Sequence, residues 1–230
     1  MTITVGTYNV RGMKDDVAAL IRVLGAMRAD VVCVQEAPRF LGWRRDRMRL
    51  AEAAGLRVAA GRRLGSVAVF VAPGVRVLHT ESRLLKIFLG LEIRAIAIAV
   101  VEVEGARFAV GSIHLDLDEA ARLRHATEAV AMIEQVAARF DAAIVLAGDI
   151  NEQDDKTTWR YIAARLSDCY PRAPKGNGMT FTARSPGKRI DAIFAAQGLQ
   201  VAWCGGVEAD PADLVAATDH LPVVARLVRG

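Results

Sequence analysis

Asn9, Glu36, His114, Asp149, Asn151, Asp219 and His220 each lie at or close to the end of an apolar run, and Asp191 lies inside another. Asn9 follows Thr2–Tyr8, and Gln35 with Glu36 follows Val31–Val34. His114 and Asp116 follow Phe108–Ile113, while Asp149 and Asn151 follow Ala143–Ala147. Asp191 sits within Arg189–Phe194, and Asp219 and His220 precede Pro222–Leu227. Strand ends are where loops and side chains can converge at one rim of a sheet. This set of carboxylates, amides and imidazoles suits the hydrolysis of a phosphate ester. A hard cation such as Mg2+, with Mn2+ as a substitute, takes carboxylate, amide and water oxygens and neutralises charge on phosphoryl oxygens. A carboxylate or imidazole must orient or deprotonate the attacking water. Neutral amides and imidazoles donate to the non-bridging oxygens as charge builds on them. No cysteine or serine nucleophile is needed.

Each residue alone also has a plain structural reading. A strand-end Asp is commonly a turn or helix cap. Asn9 before Arg11-Gly12 fits a turn, Glu36 before Ala37-Pro38 a solvated loop, and His114 a satisfied core histidine. His79 and His125 have no acidic motif around them and read as structural. The collective order carries the chemical reading.

The elements that would position these residues follow from periodicity. A strand is expected over Thr2–Asn9 and a helix over roughly Lys14–Arg28, with Val17, Leu20, Ile21 and Leu24 at helical spacing. Val31–Gln35 reads as a buried strand and Trp43–Ala54 as a helix. The middle is rich in strands, at Ser66–Ala72, Val75–His79, Glu92–Val103 and Arg107–His114. Asp118 can cap a long helix over Asp118–Phe140, followed by a strand at Ala143–Ala147 and a helix at Lys156–Leu166. Short strands close the chain near Ile190–Phe194, Leu199–Cys204 and Pro222–Leu227. Early alternation of strand and helix, then consecutive strands, argues against a doubly wound parallel sheet and for two packed sheets with helices outside. The apolar stretch Leu84–Leu91 is expected to be buried or to form a contact surface.

At 230 residues, with 53% hydrophobic residues, the chain can bury a substantial core, and a single domain over residues 1–230 is expected. The net charge of +4 permits an anionic substrate without requiring one. Three distant cysteines, Cys33, Cys169 and Cys204, give no disulfide framework and no metal-like spacing, which fits a reducing compartment. No leader pattern opens the chain and no apolar run is long enough to cross a bilayer, so the expectation is a soluble, cytoplasmic protein without membrane insertion.

In order along the chain, the motifs are Thr7-Tyr8-Asn9-Val10-Arg11-Gly12, Val34-Gln35-Glu36 and Ser112-Ile113-His114-Leu115-Asp116. Gly148-Asp149-Ile150-Asn151, Arg189-Ile190-Asp191-Ala192-Ile193-Phe194 and Thr218-Asp219-His220-Leu221-Pro222 follow. This order resembles the endonuclease/exonuclease/phosphatase superfamily, the group of deoxyribonuclease I and exonuclease III, over essentially the whole chain. The resemblance implies a four-layer α/β sandwich, two packed mixed β-sheets flanked by helices, and a metal-dependent phosphoesterase. It implies Glu36 as the principal metal carboxylate, with Asn9 and Asp219 near the same ion. Asp149 and Asn151 would position the nucleophilic water and contact the phosphate. His220 would be the catalytic imidazole, Asp191 the carboxylate that orients it, and His114 a second phosphate-binding imidazole. Thr218 stands where the family's closing motif usually has Ser, which keeps the hydroxyl.

For the substrate, two arginine-rich segments stand out. Arg39–Arg49 interleaves arginines, Arg44 and Arg45 among them, with Phe40 and Trp43, as a nucleic-acid surface would. Arg172–Arg189, which contains Arg184 and Arg189, lies just before Asp191 and could contact phosphate. The first expectation is therefore a phosphodiesterase acting on DNA or RNA. The alternative is hydrolysis of a small phosphoester such as a nucleotide, sugar phosphate or lipid headgroup, and a third reading is a non-catalytic binding protein on the same fold.

Overall fold

The computed structural model describes residues Met1–Gly230. In chain order the elements are β1 (Thr2–Asn9), α1 (Val17–Ala26), β2 (Val31–Gln35), α2 (Trp43–Ala53), β3 (Arg57–Gly61) and β4 (Ala68–Val71). Then come β5 (Arg76–Leu84), β6 (Ala95–Val103), β7 (Ala106–His114), α3 (Glu119–Phe140), β8 (Ala143–Asp149) and α4 (Thr157–Arg165). The last third holds β9 (Ser167–Asp168), β10 (Pro174–Lys175), β11 (Asp191–Ala195), β12 (Leu199–Gly205), α5 (Pro211–Ala217) and β13 (Val223–Arg229).

The strands form a seven-stranded sheet, β10-β12-β13-β1-β2-β4-β3, and a six-stranded sheet, β5-β6-β7-β8-β11-β9. Both are mixed: β1 runs parallel to β2 and β7 parallel to β8, whereas β1–β13 and β8–β11 are antiparallel. Side chains of the central strands alternate between two buried clusters, which assigns the layers. Ile3, Val5, Val31 and Cys33 face the space between the sheets, while Tyr8, Val10, Val32 and Val34 pack under α1 and α2. On β6, Ala95, Ala97 and Ala99 face the opposite sheet and Ile96, Ile98 and Val100 face α3. Because both faces of such strands are covered, they read in sequence as unbroken apolar runs. Helices, sheet, sheet and helices stack in that order, the four-layer α/β sandwich expected.

Local signals set the helix boundaries. Asp16 accepts from the Ala18 and Ala19 amides and starts α1, so this helix is shorter than the Lys14–Arg28 expectation. Asp118 accepts from the Ala121 amide to start α3, which ends on Asp141 in the left-handed region. Four elements were not expected: the edge strand β3, the two-residue strands β9 and β10, and the seven-residue α5, capped by Asp210 with Pro211 at its first position. The strand expected over Val75–His79 runs on to Leu84. Of the apolar stretch Leu84–Leu91, Leu85 is buried, but Ile87, Leu89 and Leu91 are exposed. No helix is long and apolar enough to cross a membrane.

Candidate active site

The two parallel strand pairs assemble the centre. β1 and β2 run side by side with Asn9 opposite Gln35, and β7 and β8 with His114 opposite Asp149. Parallel strands end at the same rim, so the four strands deliver Asn9, Glu36, His114 and Asp149 together. The antiparallel strand β11 begins there with Asp191 opposite Asp149. Gly148 makes the approach possible: a Cβ at this position would collide with the Ile113 carbonyl on β7. Beyond the strand ends the chain turns sharply, and Glu36 (φ 48°) and Asn151 (φ 55°) are held in the left-handed region. Non-glycine residues tolerate such backbone only where surroundings over-determine it, which is common at functional sites.

Asp149 is the hub. Its Oδ2 accepts from Asn9 Nδ2 at 3.1 Å and lies 3.5 Å from His114 Nε2 and 3.7 Å from His220 Nε2. Its Oδ1 accepts from the Asn151 amide at 2.9 Å. Asn9 Nδ2 also donates to Glu36 Oε1 at 3.1 Å, so one amide ties two carboxylates together. Asn151 Nδ2 donates to the Leu115 carbonyl, which fixes its side chain at the cleft. On the far side, Asp191 Oδ2 lies 2.9 Å from His220 Nδ1. With Nδ1–H donating there, Nε2 faces Asp149. Phe181 packs on the His220 ring at 4.9 Å between centroids. Thr218, in place of the usual serine, donates its hydroxyl to the Asn9 carbonyl at 3.1 Å and joins the last motif to the first. Asp219 lines the same cleft and faces Arg11 at 3.4 Å.

Burial and neighbouring charge set the protonation states. Asp149 is raised to about 7 by burial and then by the nearby Asp191 carboxylate, an effect only partly offset by His220, Asn9 and the Asn151 amide. For His220, burial works to lower the pKa, but Asp191, with Asp149 and Asp219 behind it, prevails and raises it to about 9. His114 is moved the other way, well below its ordinary value, by burial and by the positive charges of Arg94, His220 and Arg39. At neutral pH the site therefore holds a charged imidazole, a neutral imidazole and a buried acid sharing protons with its neighbours. His220 can donate to a phosphoryl or leaving-group oxygen, His114 can donate without repelling a cation, and Asp149 can take a proton from water.

The residues also fit a hard divalent cation. Glu36 and Asp219 offer carboxylate oxygens in the same cleft as Asp149, while Asn9 turns its Nδ2 to Glu36 and Asp149 and its Oδ1 to the Arg11 amide, and the crowding of buried carboxylates leaves negative charge that a cation would neutralise. Asp149, Asp191 and His220 are clustered closely enough to hold an ion as well. The 2.9 Å bond between His220 and Asp191, however, already commits these two to each other, so the Glu36 side is the better cation position. A cation there would supply charge neutralisation at the phosphoryl oxygens.

All eight polar residues singled out by sequence reach this centre. The four arginines do not: none of Arg44, Arg45, Arg184 and Arg189 lines the cleft that contains it. Arg189 is buried in the structure, bonded to Asp168 at 2.9 Å and Asp154 at 2.6 Å, with its guanidinium over the rings of Trp159 and Tyr170. Its donors are taken up internally, which corrects the expectation that it meets substrate. Arg47, in the other arginine-rich segment, likewise points inward to the carbonyls of Pro38, Ala37 and Val67. Sequence reading gave no role to Phe181, to Thr180, whose hydroxyl accepts from the Ile190 and Asp191 amides, or to Arg94. Thr180 and Phe181 sit in an irregular loop with no periodic signal; the only cue was proximity to the Asp191 motif.

Residues 6–220 match the model of the Endonuclease/Exonuclease/phosphatase family. No curated protein is similar enough in sequence to match the chain. An endonuclease/exonuclease/phosphatase from Bacteroides vulgatus superposes with a TM-score of 0.82 at 19% identity, over 100% of both chains. A mannosyl-6-phosphatase from Bacteroides thetaiotaomicron gives 0.82 at 19% identity, over 98% of this chain and 99% of that one. The human nocturnin catalytic domain gives 0.77 at 13% identity, over 99% and 93%. At such identities the structural likeness is one of fold. The family match, spanning all six motifs that build the centre, does more: the chain belongs to the endonuclease/exonuclease/phosphatase family, whose members are phosphoesterases.

Proposed function

We propose that this protein is a divalent-metal-dependent hydrolase of small phosphoesters, in the class of nucleotides, sugar phosphates and lipid headgroups. The observation that carries the reading is the convergence of Asn9, His114 and His220 on one oxygen of Asp149, at the floor of a cleft of about 700 Å3. In the proposed reaction Asp149 and Asn151 position the attacking water; Glu36 and Asp219 would hold the cation, Mg2+ or Mn2+, with Asn9 beside it aligning Glu36 and Asp149. Asp191 keeps His220 charged and oriented towards the phosphoryl group, while His114 donates to a non-bridging oxygen.

The scale of the substrate follows from where the cations are. A nucleic-acid substrate, the first expectation from sequence, calls for a continuous track of free positive charge. Arg47 and Arg189 are internal, Arg39 is paired with Glu92 at 2.8 Å, and Arg44 and Arg45 lie outside the cleft. The basic side chains beside Glu36 and Asp149 are Lys14, Arg39 and Arg94, and Arg122, Lys156 and Lys188 line the adjoining hollow beside His220, a local cluster suited to a compact anion. The mannosyl-6-phosphatase of the same fold acts, by its name, on a sugar phosphate, which agrees with this size of substrate.

A panel of sugar phosphates, nucleotides, phospholipids, plasmid and single-stranded DNA with Mg2+ or Mn2+ tests the proposal. Turnover of a small phosphoester should exceed that of the polymers and vanish in chelator. Glu36→Gln should lower it by on the order of 100-fold or more with the melting temperature retained, because a neutral amide is a poor hard-cation ligand. Full activity in excess chelator, or in the Glu36 variant, would remove the metal role; preferential cleavage of DNA would remove the small substrate.

A further inference from the structure

Among the basic side chains of the cleft, Arg94 differs in being built into the wall: its side chain is 10% exposed, whereas Lys14 and Arg39 stand in solvent. Its Nε faces Asp116 Oδ2 at 3.4 Å, and Asp116 is itself 5% exposed. The carboxylate is fixed in turn. Asp116 Oδ1 accepts from the Asp118 amide at 3.0 Å, at the cap of α3. Arg122 Nη1 donates to the Asp116 carbonyl at 3.1 Å and the Leu117 carbonyl at 3.0 Å, and Arg122 Nε lies 2.6 Å from Glu152 Oε2. A relay of buried ion pairs thus holds one guanidinium by its Nε.

The terminal Nη1 and Nη2 of Arg94 donate to no group in the chain. Four N–H donors therefore face the cleft, where its solvent still reaches them, on a side chain otherwise enclosed by protein. A fold device would use them, as Arg47 and Arg189 use theirs. The planar fork matches a phosphate or carboxylate through two parallel bonds.

Its position separates it from the phosphoryl group under attack. That group's place is defined by Asp149 on β8 and His114 on β7, together with Asn151 and His220. Arg94 immediately precedes β6, the next strand outward, so its backbone stands two strand spacings, about 10 Å, from that of Asp149. We infer that Arg94, aligned by Asp116, grips a second anionic group of the substrate, set off from the scissile phosphate by roughly one strand spacing, ~5 Å. The preferred substrates are then phosphoesters that carry a further phosphate or carboxylate. This deepens the proposed function and rests on it for the place of the scissile group; Asp116 acts as a positioning residue.

The test is a binding ratio, which does not depend on turnover. Adenosine 3′,5′-bisphosphate and adenosine 5′-monophosphate are titrated calorimetrically with Ca2+ in place of Mg2+. The wild type should bind the bisphosphate about tenfold or more tightly than the monophosphate. Arg94→Gln should bring that ratio close to one, and Arg94→Lys, which keeps charge without the fork, should leave an intermediate value. Asp116→Asn should also lower the ratio, while Arg226→Gln, an exposed position on β13, should preserve it. A wild type without preference, or an Arg94→Gln protein that loses both ligands equally, overturns the inference. Should Arg94→Gln fail to fold, the Lys and Asp116 variants decide by the same ratio. Absence of phosphoester turnover with Mg2+, beside an Arg94-dependent ratio, would count against the proposed hydrolysis alone.

Discussion

The pairing of Asp191 with His220 shows how a single contact sets a functional charge. Burial by itself would keep the imidazole neutral, yet the 2.9 Å bond to Asp191 raises its pKa to about 9. Asp149, raised to about 7, also holds a proton more tightly in the native state than an ordinary aspartate carboxyl, near 3.8, does in the unfolded chain. Both shifts have the same sign in linkage: native protein binds more protons than unfolded chain, so stability falls as pH rises. The His220 contribution is complete below pH 6.5 and is lost as pH climbs through about 9. In chelator-treated protein the melting temperature should therefore drop between pH 6.5 and 9 by an amount on the order of 2 kcal/mol, or about 4–8 °C. His220→Gln should remove much of that drop. Parallel pH profiles for the two proteins, measured by calorimetry, would show that the imidazole is not held charged. His114, a few ångströms away, shows the opposite outcome because burial lowers its pKa and the charges it meets, Arg94 among them, are positive and add to that shift.

At the scale of elements, the strands carry the polar groups of the centre and the intervening loops are braced by arginines. Arg189 joins α4 to the approach of β11: it pairs with Asp168 and Asp154 and lies 4.5 Å from the centre of the Trp159 ring. Arg47 does the same for α2 and the loop after Glu36 through three backbone carbonyls. Truncation of Arg189 would leave Asp168, whose side chain is 9% exposed, without its cation. Arg189→Ala should cost about 3 kcal/mol in denaturant unfolding. A change within about 0.5 kcal/mol, the range of an ordinary surface substitution, would return Arg189 to the pool of substrate-binding candidates. The helices and central strands follow their sequence signals closely because both are specified locally. Asp118 caps as its position suggested, Asp16 starts α1 inside the expected span, and the side chains of β1, β2 and β6 alternate between two buried clusters. The edge strand β3 escaped notice because its exposed and half-buried residues carry no alternation, and α5 because seven residues give barely two turns.

For the molecule as a whole, the net charge of +4 is spread through ion pairs rather than gathered into one face. Arg22, Arg39, Arg76, Arg124 and Arg165 each sit within 3 Å of a carboxylate. Long polymers bound by phosphate contacts are released by salt, with six to ten contacts losing about 10^3–10^5 in affinity between roughly 50 and 200 mM. This protein should show only a shallow salt dependence of KM for its substrate, and Arg44→Ala with Arg45→Ala should leave that dependence unchanged. A steep slope that flattens in the double variant would restore the nucleic-acid track.

The sequence by itself determined the family and the eight polar residues of the centre, because hydrolysis of a phosphate ester demands fixed atom types at strand ends, and those types survive as short motifs in order. It also determined the layered architecture, since burial on two faces imprints unbroken apolar runs. Only the tertiary structure decided which charges are free. Arg44, Arg47, Arg94 and Arg189 look alike in sequence, yet one is solvated, two are bonded internally and one is buried with its fork facing the cleft. That difference depends on partners 22 residues away for Arg94 and 21 and 35 residues away for Arg189. No local periodicity encodes such separations; they exist only once the sheets have packed.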